Sequence, residues 1–182
     1  MYKRQVSFSE QQLVDCSHAQ GNEGCGGGEL RWAYEYQQLW NTATSDEYPY
    51  HAADETCDSA KVAAATGFKV DKIQEFNHTC PHGLKAAVRE LPVAVALEAQ
   101  NWRLYSKGIF DPQLCGEDID HGVSVVGYSD NEGGYWIVRN SWGSRFGEKG
   151  YIRIPFVSTE KDFVDGPCGI YNRPTNPTLK DF

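Results

Sequence analysis

The sequence predicts an α+β protein in two parts, a helical part followed by a β-rich part. The first observation is that aromatic residues such as Trp32 and Tyr36 recur at helical spacing early in the chain. The second is that the segments after Pro92 are short and rich in β-branched and aromatic residues. The third is the set of turn signals between those segments, as at 130–134. Helices followed by strands are typical of an α+β fold, and the change of pattern places the boundary near 65–68.

Two helices are predicted in the first part. A capping-box pattern begins at Ser9 and precedes apolar-periodic residues, which predicts a helix over about 9–16. The segment 21–28 is too rich in glycine for a regular element. It separates the first helix from a second one near 29–41, and the stretch 45–66 is predicted to be a loop.

The second part contains a helix over 84–91 that ends at Pro92, because proline interrupts helical hydrogen bonding. The strands predicted after it cover 93–97, 122–128, 135–139 and 151–154. This organisation assigns 6–66 to the helical part, 67–175 to the β-rich part and 176–182 to a C-terminal tail.

The composition argues against several classes of partner. The chain has 182 residues, a formal net charge of −8 and no cluster of Lys and Arg, so nucleic acid is not an expected partner. No apolar run approaches the roughly 20 residues of a membrane-spanning helix, so a membrane is not expected either. The six cysteines include no Cys-x-x-Cys pair and no Cys/His cluster at metal spacing. We therefore expect no metal.

The cysteine pattern also bears on the compartment. Scattered cysteines, together with the glycosylation acceptor pattern Asn77-His78-Thr79, favour an oxidising compartment of the secretory route. We therefore expect a secreted, lysosomal or vacuolar protein. Residues 1–20 lack the apolar core of a signal peptide, so no targeting segment is recognised in this chain.

A histidine and an asparagine are the strongest candidates for chemistry. His121 begins one predicted strand and Asn140 follows the next, so antiparallel pairing through the turn at 130–134 would bring them side by side. The amide oxygen of Asn140 could accept from one ring nitrogen while the other nitrogen faces a nucleophile. Trp142 could cover this contact. The alternative for a lone histidine is a hydrogen-bonded core residue.

The neighbouring motifs favour the catalytic interpretation, because together they resemble the papain-like cysteine peptidases, and most closely their cathepsin L-like branch. The resemblance runs from about Val6 to Tyr171. Its four ordered blocks are Ser9-Glu10-Gln11-Gln12-Leu13-Val14-Asp15-Cys16 with Gly24-Cys25-Gly26-Gly27-Gly28, Asp120-His121-Gly122 with Val126-Gly127-Tyr128, Asn140-Ser141-Trp142-Gly143 with Gly147-Glu148-Lys149-Gly150-Tyr151-Ile152-Arg153, and Pro167-Cys168-Gly169-Ile170-Tyr171.

The resemblance implies a two-lobed fold, with a helical lobe and an antiparallel β-barrel-like lobe, and the first part of the helical lobe missing here. It makes His121 the general base and imidazolium partner, Asn140 the residue that orients it, and Trp142 the shield over the pair. It also implies a monomer that acts on extended peptide or protein substrates without a cofactor. The disulfides that it implies are Cys16–Cys57 and Cys115–Cys168.

The resemblance places a set of residues along the substrate cleft. Gly27 and Gly28 would hydrogen-bond an extended peptide through their backbone groups. Arg173 would lie near the floor of the main specificity pocket and favour an acidic side chain there; the alternative is that Arg173 points to solvent. The full set of implied cleft residues is Gly27, Gly28, Leu30, Ala96, Ile119, Asp120 and Arg173.

The nucleophile of the family lies about 130–150 residues before its histidine, which falls before the first residue of this chain. Cys25 is too near His121 in sequence, and it belongs to a block that the family uses for a disulfide. We therefore expect an inactive fragment of a cysteine-type endopeptidase. The alternative is a catalytically inactive papain-like protein that binds peptides or acts as a decoy. Cys80 has no counterpart in the family pattern.

The first five residues match no part of that pattern. Residues 1–5 are similar to the translated end of a transposon used to prepare sequencing libraries. Our hypothesis is that they are a non-native scar joined to an incomplete reading frame.

Overall fold

The computed structural model describes residues 5–76, 81–116, 118–156 and 165–179. The chain divides into two compact units, of which the first is Met1–Gln74 with Pro177–Phe182 and the second is Glu75–Asn176. The boundary expected near 65–68 therefore lies inside the first unit. The expected tail from 176 contains part of a strand. The four residues of the expected scar before Gln5 lie outside the described residues.

The described residues of the first unit form three α-helices, α1 (Glu10–Cys16), α2 (Leu30–Leu39) and α3 (Ser59–Ala64). The Ser9 side chain caps α1 by accepting from the backbone N–H of Gln12 at 3.0 Å, as the capping-box pattern predicts. Helix α3 lies in the stretch that was expected to be loop. The carboxylate of Asp58 starts it by accepting from two backbone N–H groups of its first turn.

The first unit has a small apolar core supported by buried polar groups. Its apolar residues pack beside the disulfide Cys16–Cys57. Gln12 is fully buried on α1, and its side chain accepts from the backbone N–H of Ala43 and donates to the backbone carbonyl of Asn41. These bonds join α1 to the chain beyond α2. The buried apolar residues are Ala43, Tyr48, Val62 and Ala65.

The second unit is built on an antiparallel sheet and includes the α-helix α4 (Pro81–Glu90). The strands that lie wholly in this unit are β2 (Val93–Leu97), β3 (His121–Ser129), β4 (Tyr135–Arg139) and β5 (Tyr151–Pro155). Strand β1 (Val70–Glu75) belongs to the first unit except for Glu75, and β6 (Thr175–Leu179) is divided between the units after Asn176. The strand order in the sheet is β1-β6-β2-β3-β4-β5. β2 and β4 have the predicted bounds. β3 is one residue longer than predicted at each end, and β5 is one residue longer at its C-terminal end. β1 and β6 were not predicted, because their sequences are polar and carry no period-2 apolar pattern.

The core of the second unit follows the period of the strands. Alternate residues of β2 to β5 are buried, and the side chains of Leu84 and Ala87 on α4 are buried in the same cluster. Burying one such side chain contributes about 1.5–3 kcal/mol, so this cluster is the main stabilising feature of the unit. None of the helices in the described ranges is both long and apolar enough for a membrane crossing.

Candidate active site

His121 and Asn140 meet at one end of the sheet in the second unit. His121 is the first residue of β3, where it pairs with Leu97 of β2, and Asn140 directly follows β4. The pairing of β3 with β4 brings their side chains together. The Nε2 atom of His121 lies 2.8 Å from the Oδ1 atom of Asn140. The strand pattern led us to expect this contact.

A second hydrogen bond fixes which way the Asn140 amide faces. The backbone N–H of Ser141 donates to Asn140 Oδ1 at 2.8 Å, so the oxygen and not the NH2 group faces His121. His121 therefore donates through Nε2, and Nδ1 carries the lone pair of the neutral ring. No hydrogen bond to Nδ1 is found within the described ranges. This is the nitrogen that is left for an external partner.

Two tryptophans flank the histidine ring. The Trp142 ring lies 5.1 Å from the His121 ring, centroid to centroid, and the buried Trp102 meets the same ring edge-on at 6.0 Å. Trp142 is 44% exposed, so it covers the pair from the solvent side. Asn140 is buried, and its Nδ2 group has no hydrogen-bond partner in the part of the chain that the structure describes.

Trp102 was missed by sequence reasoning. It lies in a short 3₁₀ turn (Trp102–Leu104) with no periodic pattern around it. Its ring packs against Trp142, Phe146 and Phe110 as well as His121. A tryptophan in an irregular segment was the only available signal, and tertiary packing alone gives it this place.

Asp120 fixes the backbone immediately before the histidine. Its carboxylate accepts from the backbone N–H of Ala99 at 2.9 Å, and its own N–H donates to the carbonyl of Leu97 at 3.1 Å. Among the other expected cleft residues of this unit, Ala96 is half-buried and opposite Gly122 in the register. The side chains of Ile119 and Arg173 are exposed.

The remaining expected cleft residues lie in the first unit. Gly27 and Gly28 are exposed, and Leu30 begins α2. Gly27 has a φ of 114°, a backbone conformation that favours glycine, and Gly28 has no room for a Cβ because the Asn22 side chain lies against it. All three residues line one cavity of about 190 Å³ within this unit.

The cysteines separate into two disulfides and one free thiol within the described residues. The disulfides are Cys16–Cys57 and Cys115–Cys168, the two pairs that the resemblance implied. Cys25 is free and exposed. Desolvation, with a smaller effect of the Asp54 carboxylate, raises the pKa of the Cys25 thiol, which disfavours the nucleophilic thiolate. Cys80 and the Asn77-His78-Thr79 pattern lie outside the described residues.

Among the described residues, no group of three His, Cys, Asp or Glu side chains is placed to hold a metal ion.

Comparisons with known proteins identify the family. The family described as papain family cysteine protease matches residues 1–178. Cysteine endopeptidase Rep1 of Oryza sativa subsp. japonica is 42% identical over 172 residues, which are 92% of this chain and 45% of that protein. KDEL-tailed cysteine endopeptidase CEP2 of Arabidopsis thaliana is 40% identical over 188 aligned residues, which cover 97% of this chain and 50% of that protein. The chain thus spans about half the length of these curated relatives.

A solved structure gives the same result for the fold. Bromelain from Ananas comosus, determined in complex with the E64 inhibitor, has a TM-score of 0.85 and 32% sequence identity. The similarity covers 97% of this chain and 80% of the bromelain chain. The fold is therefore papain-like, with helices and an antiparallel sheet. The family match over nearly the whole chain and these relatives show that the chain belongs to the papain family of cysteine proteases.

Proposed function

We propose that the protein to which this chain belongs is a cysteine endopeptidase, with His121 as its acid–base residue and Asn140 as the residue that orients it. The observation that carries this proposal is the contact of 2.8 Å between His121 Nε2 and Asn140 Oδ1. A histidine whose tautomer is held by a neighbouring side chain, with one nitrogen left free, has the form that thiol activation requires.

The chemistry follows from that free nitrogen. A cysteine thiol outside this chain would give its proton to Nδ1 of His121, and the thiolate would attack the scissile carbonyl carbon. The imidazolium would then protonate the leaving amine as the C–N bond breaks. In the second half, His121 takes a proton from water while the hydroxyl adds to the thioester, and the acid and the thiolate are released. Asn140 holds the ring in place, and Trp142 limits the access of water.

The chain on its own is proposed to be inactive. Cys25 is the free thiol among the described cysteines, and its raised pKa and its place in the glycine-rich segment of the first unit speak against a thiolate there. Extended peptides are the proposed substrates, held through the backbone of Gly27 and Gly28, both of which are exposed. The other expected cleft residues, including Arg173, keep their roles as proposals.

A compartment of the secretory route is proposed for the same protein. Two disulfides are typical of an oxidising environment. One relative is named for a KDEL tail, and such a tail is a signal read within that route. Delivery to a vacuole or lysosome, or secretion, would fit both observations.

The test compares this chain with the full-length product of its gene. The 182-residue chain is expected to show no turnover of a fluorogenic peptide and no adduct with an epoxide inhibitor by mass spectrometry. The full-length protein is expected to turn over the peptide and to form the inhibitor adduct. In it, His121→Ala should lower kcat/KM by about 10²–10⁴-fold, the usual contribution of general acid–base catalysis. His82→Ala, at an exposed position of α4, is the matched control and should leave kcat/KM unchanged.

Two outcomes would contradict the proposal. Turnover by the 182-residue chain would show that its own residues supply the nucleophile. Peptide binding without turnover by the full-length protein would favour the binding or decoy protein instead.

A further inference from the structure

The loop that carries Trp142 has several residues with positive φ. It runs from Ser141 to Gly150, and within it Gly143, Gly147, Lys149 and Gly150 all have positive φ, from 45° to 96°. Lys149 is not a glycine, so its conformation is disfavoured by its own side chain. Backbone hydrogen bonds hold part of the loop, from the Phe146 N–H to the Gly143 carbonyl and from the Gly150 N–H to the Phe146 carbonyl. Side-chain contacts add to them and bear on where Trp142 lies.

The Glu148 carboxylate provides the strongest of those contacts. Its Oε1 accepts from the Arg153 guanidinium at 2.6 Å and from the backbone N–H of Gly108 at 3.0 Å, and its Oε2 accepts from Arg153 Nε at 2.9 Å. The Glu148 side chain is 31% exposed and the Arg153 side chain is 26% exposed. The hydrogen bonds from Arg153 lower the pKa of Glu148. A two-pronged, charge-assisted contact of this kind fixes orientation as well as distance.

Tyr105 links this ion pair to the aromatic residues at the histidine. Its hydroxyl donates to the carbonyl of Gly108 at 2.6 Å and accepts from the backbone N–H of Arg153 at 3.3 Å. Its ring lies 6.0 Å from the Phe146 ring and directly against Gly147, where a Cβ would overlap it. The Glu148–Arg153 ion pair and the Tyr105 ring therefore hold the same part of the loop.

Phe146 completes the connection to the candidate active site. Its ring meets Trp142 edge-on at 5.1 Å and stacks on the buried Trp102 at 6.4 Å. Trp142 in turn lies on His121 at 5.1 Å. A shift of the loop at Glu148 would therefore change the cover of His121.

We propose that Glu148 is a positioning residue, which acts through Arg153, Tyr105 and Phe146 to hold Trp142 over His121. The inference rests on the proposed function of His121 for its catalytic meaning, but its geometric content stands apart from activity. It predicts that Glu148 controls the Trp142–His121 contact more than it controls the fold of the unit.

The test is NMR on the 182-residue chain. The nuclear Overhauser contact between the Trp142 and His121 rings reports the cover, and the indole N–H of Trp136 reports the fold because it is buried and donates to the Tyr171 hydroxyl at 3.0 Å. In Glu148→Gln we expect loss of the Trp142–His121 contact with the Trp136 signal unchanged. Arg153→Lys, which keeps the charge but not the two-pronged geometry, should weaken the same contact.

Arg145→Gln is the matched control, since Arg145 lies exposed in the same loop and makes no hydrogen bond or ion pair in the described part of the chain. It should retain the contact. If Glu148→Gln retains the Trp142–His121 contact, the proposal is overturned. If it loses both that contact and the Trp136 signal, the proposal is also overturned, because Glu148 would then stabilise the fold of the unit in general. An inactive full-length protein with the contact intact would instead contradict the proposed function.

Discussion

At the scale of single residues, the orientation of the Asn140 amide is the central feature of the site. Its oxygen accepts both from His121 Nε2 and from the backbone N–H of Ser141, and both distances are 2.8 Å. The bond from Ser141 costs no side-chain entropy on the donor side, because the donor is backbone. One oxygen thus defines a side-chain orientation and a ring tautomer together.

This arrangement predicts the effect of Asn140→Ala. In the parent chain the His121 ring should show one tautomer, with hydrogen on Nε2, in ¹⁵N spectra at a pH where the ring is neutral. The variant should show a mixture, because neither nitrogen keeps a fixed partner. It should also lose about 0.5–1.5 kcal/mol of stability, the net contribution of a typical hydrogen bond, since the N–H of the exposed Ser141 loses its acceptor. Asn131→Ala, at an exposed turn, is the control and should change neither quantity. An unchanged tautomer in Asn140→Ala would contradict this account.

At the scale of elements, the short helix α1 depends on polar contacts made by its buried face. Gln11, Gln12 and Asp15 are all buried on this helix. Gln12 has three partners, the backbone N–H of Ala43, the backbone carbonyl of Asn41 and the Tyr36 hydroxyl. A helix of only seven residues has little stability by itself, so these bonds anchor it.

Gln12→Leu should therefore destabilise the first unit strongly. The substitution leaves the buried backbone N–H of Ala43 without a partner, at about 1–3 kcal/mol, and also removes the hydrogen bond to the Asn41 carbonyl. Urea unfolding followed by far-ultraviolet circular dichroism measures the loss. Glu10→Gln, on the exposed side of the same helix, is the control and should change stability by about 0.3–1 kcal/mol at most. A loss no larger than that of the control would mean that Gln12 does not anchor α1.

At the scale of the whole molecule, each unit has its own apolar core and its own disulfide. Cys16–Cys57 lies in the first unit and Cys115–Cys168 in the second. Each closes a loop of several tens of residues, and such disulfides typically contribute about 2–4 kcal/mol. The candidate histidine and asparagine both belong to the second unit, so their contact depends on one core only.

The stability of the chain should decrease in acid. Hydrogen bonds lower the pKa of Glu148, chiefly those from Arg153, and also that of Glu47, chiefly that from Thr66. The unfolded chain then binds more protons than the folded chain in this range, so stability is full above the ordinary carboxyl pKa of 4.5 and is lost as pH falls through the lower folded values. Glu148 pairs with Arg153, whose guanidinium also lies 3.8 Å from the carboxylate of Glu132.

Urea titrations above and below that pH measure this dependence. Glu148→Gln should flatten the decrease, because one carboxyl with a lowered pKa is removed. An equally steep decrease in Glu148→Gln would show that the ion pair with Arg153 does not contribute to acid sensitivity.

The sequence by itself determined the elements and the site that depend on local patterns. Enrichment in β-branched and aromatic residues between turn signals gave the bounds of β2 and β4, and the capping box gave the start of α1, because both signals are local. The contact between His121 and Asn140 could be predicted because the turn between their strands is short. Tertiary structure alone decided the pairing of the polar strands β1 and β6, the place of Trp102 against His121, and the ion pair of Glu148 with Arg153. These features join residues from irregular or polar segments, whose energy comes from packing and charge contacts that form only in the folded chain.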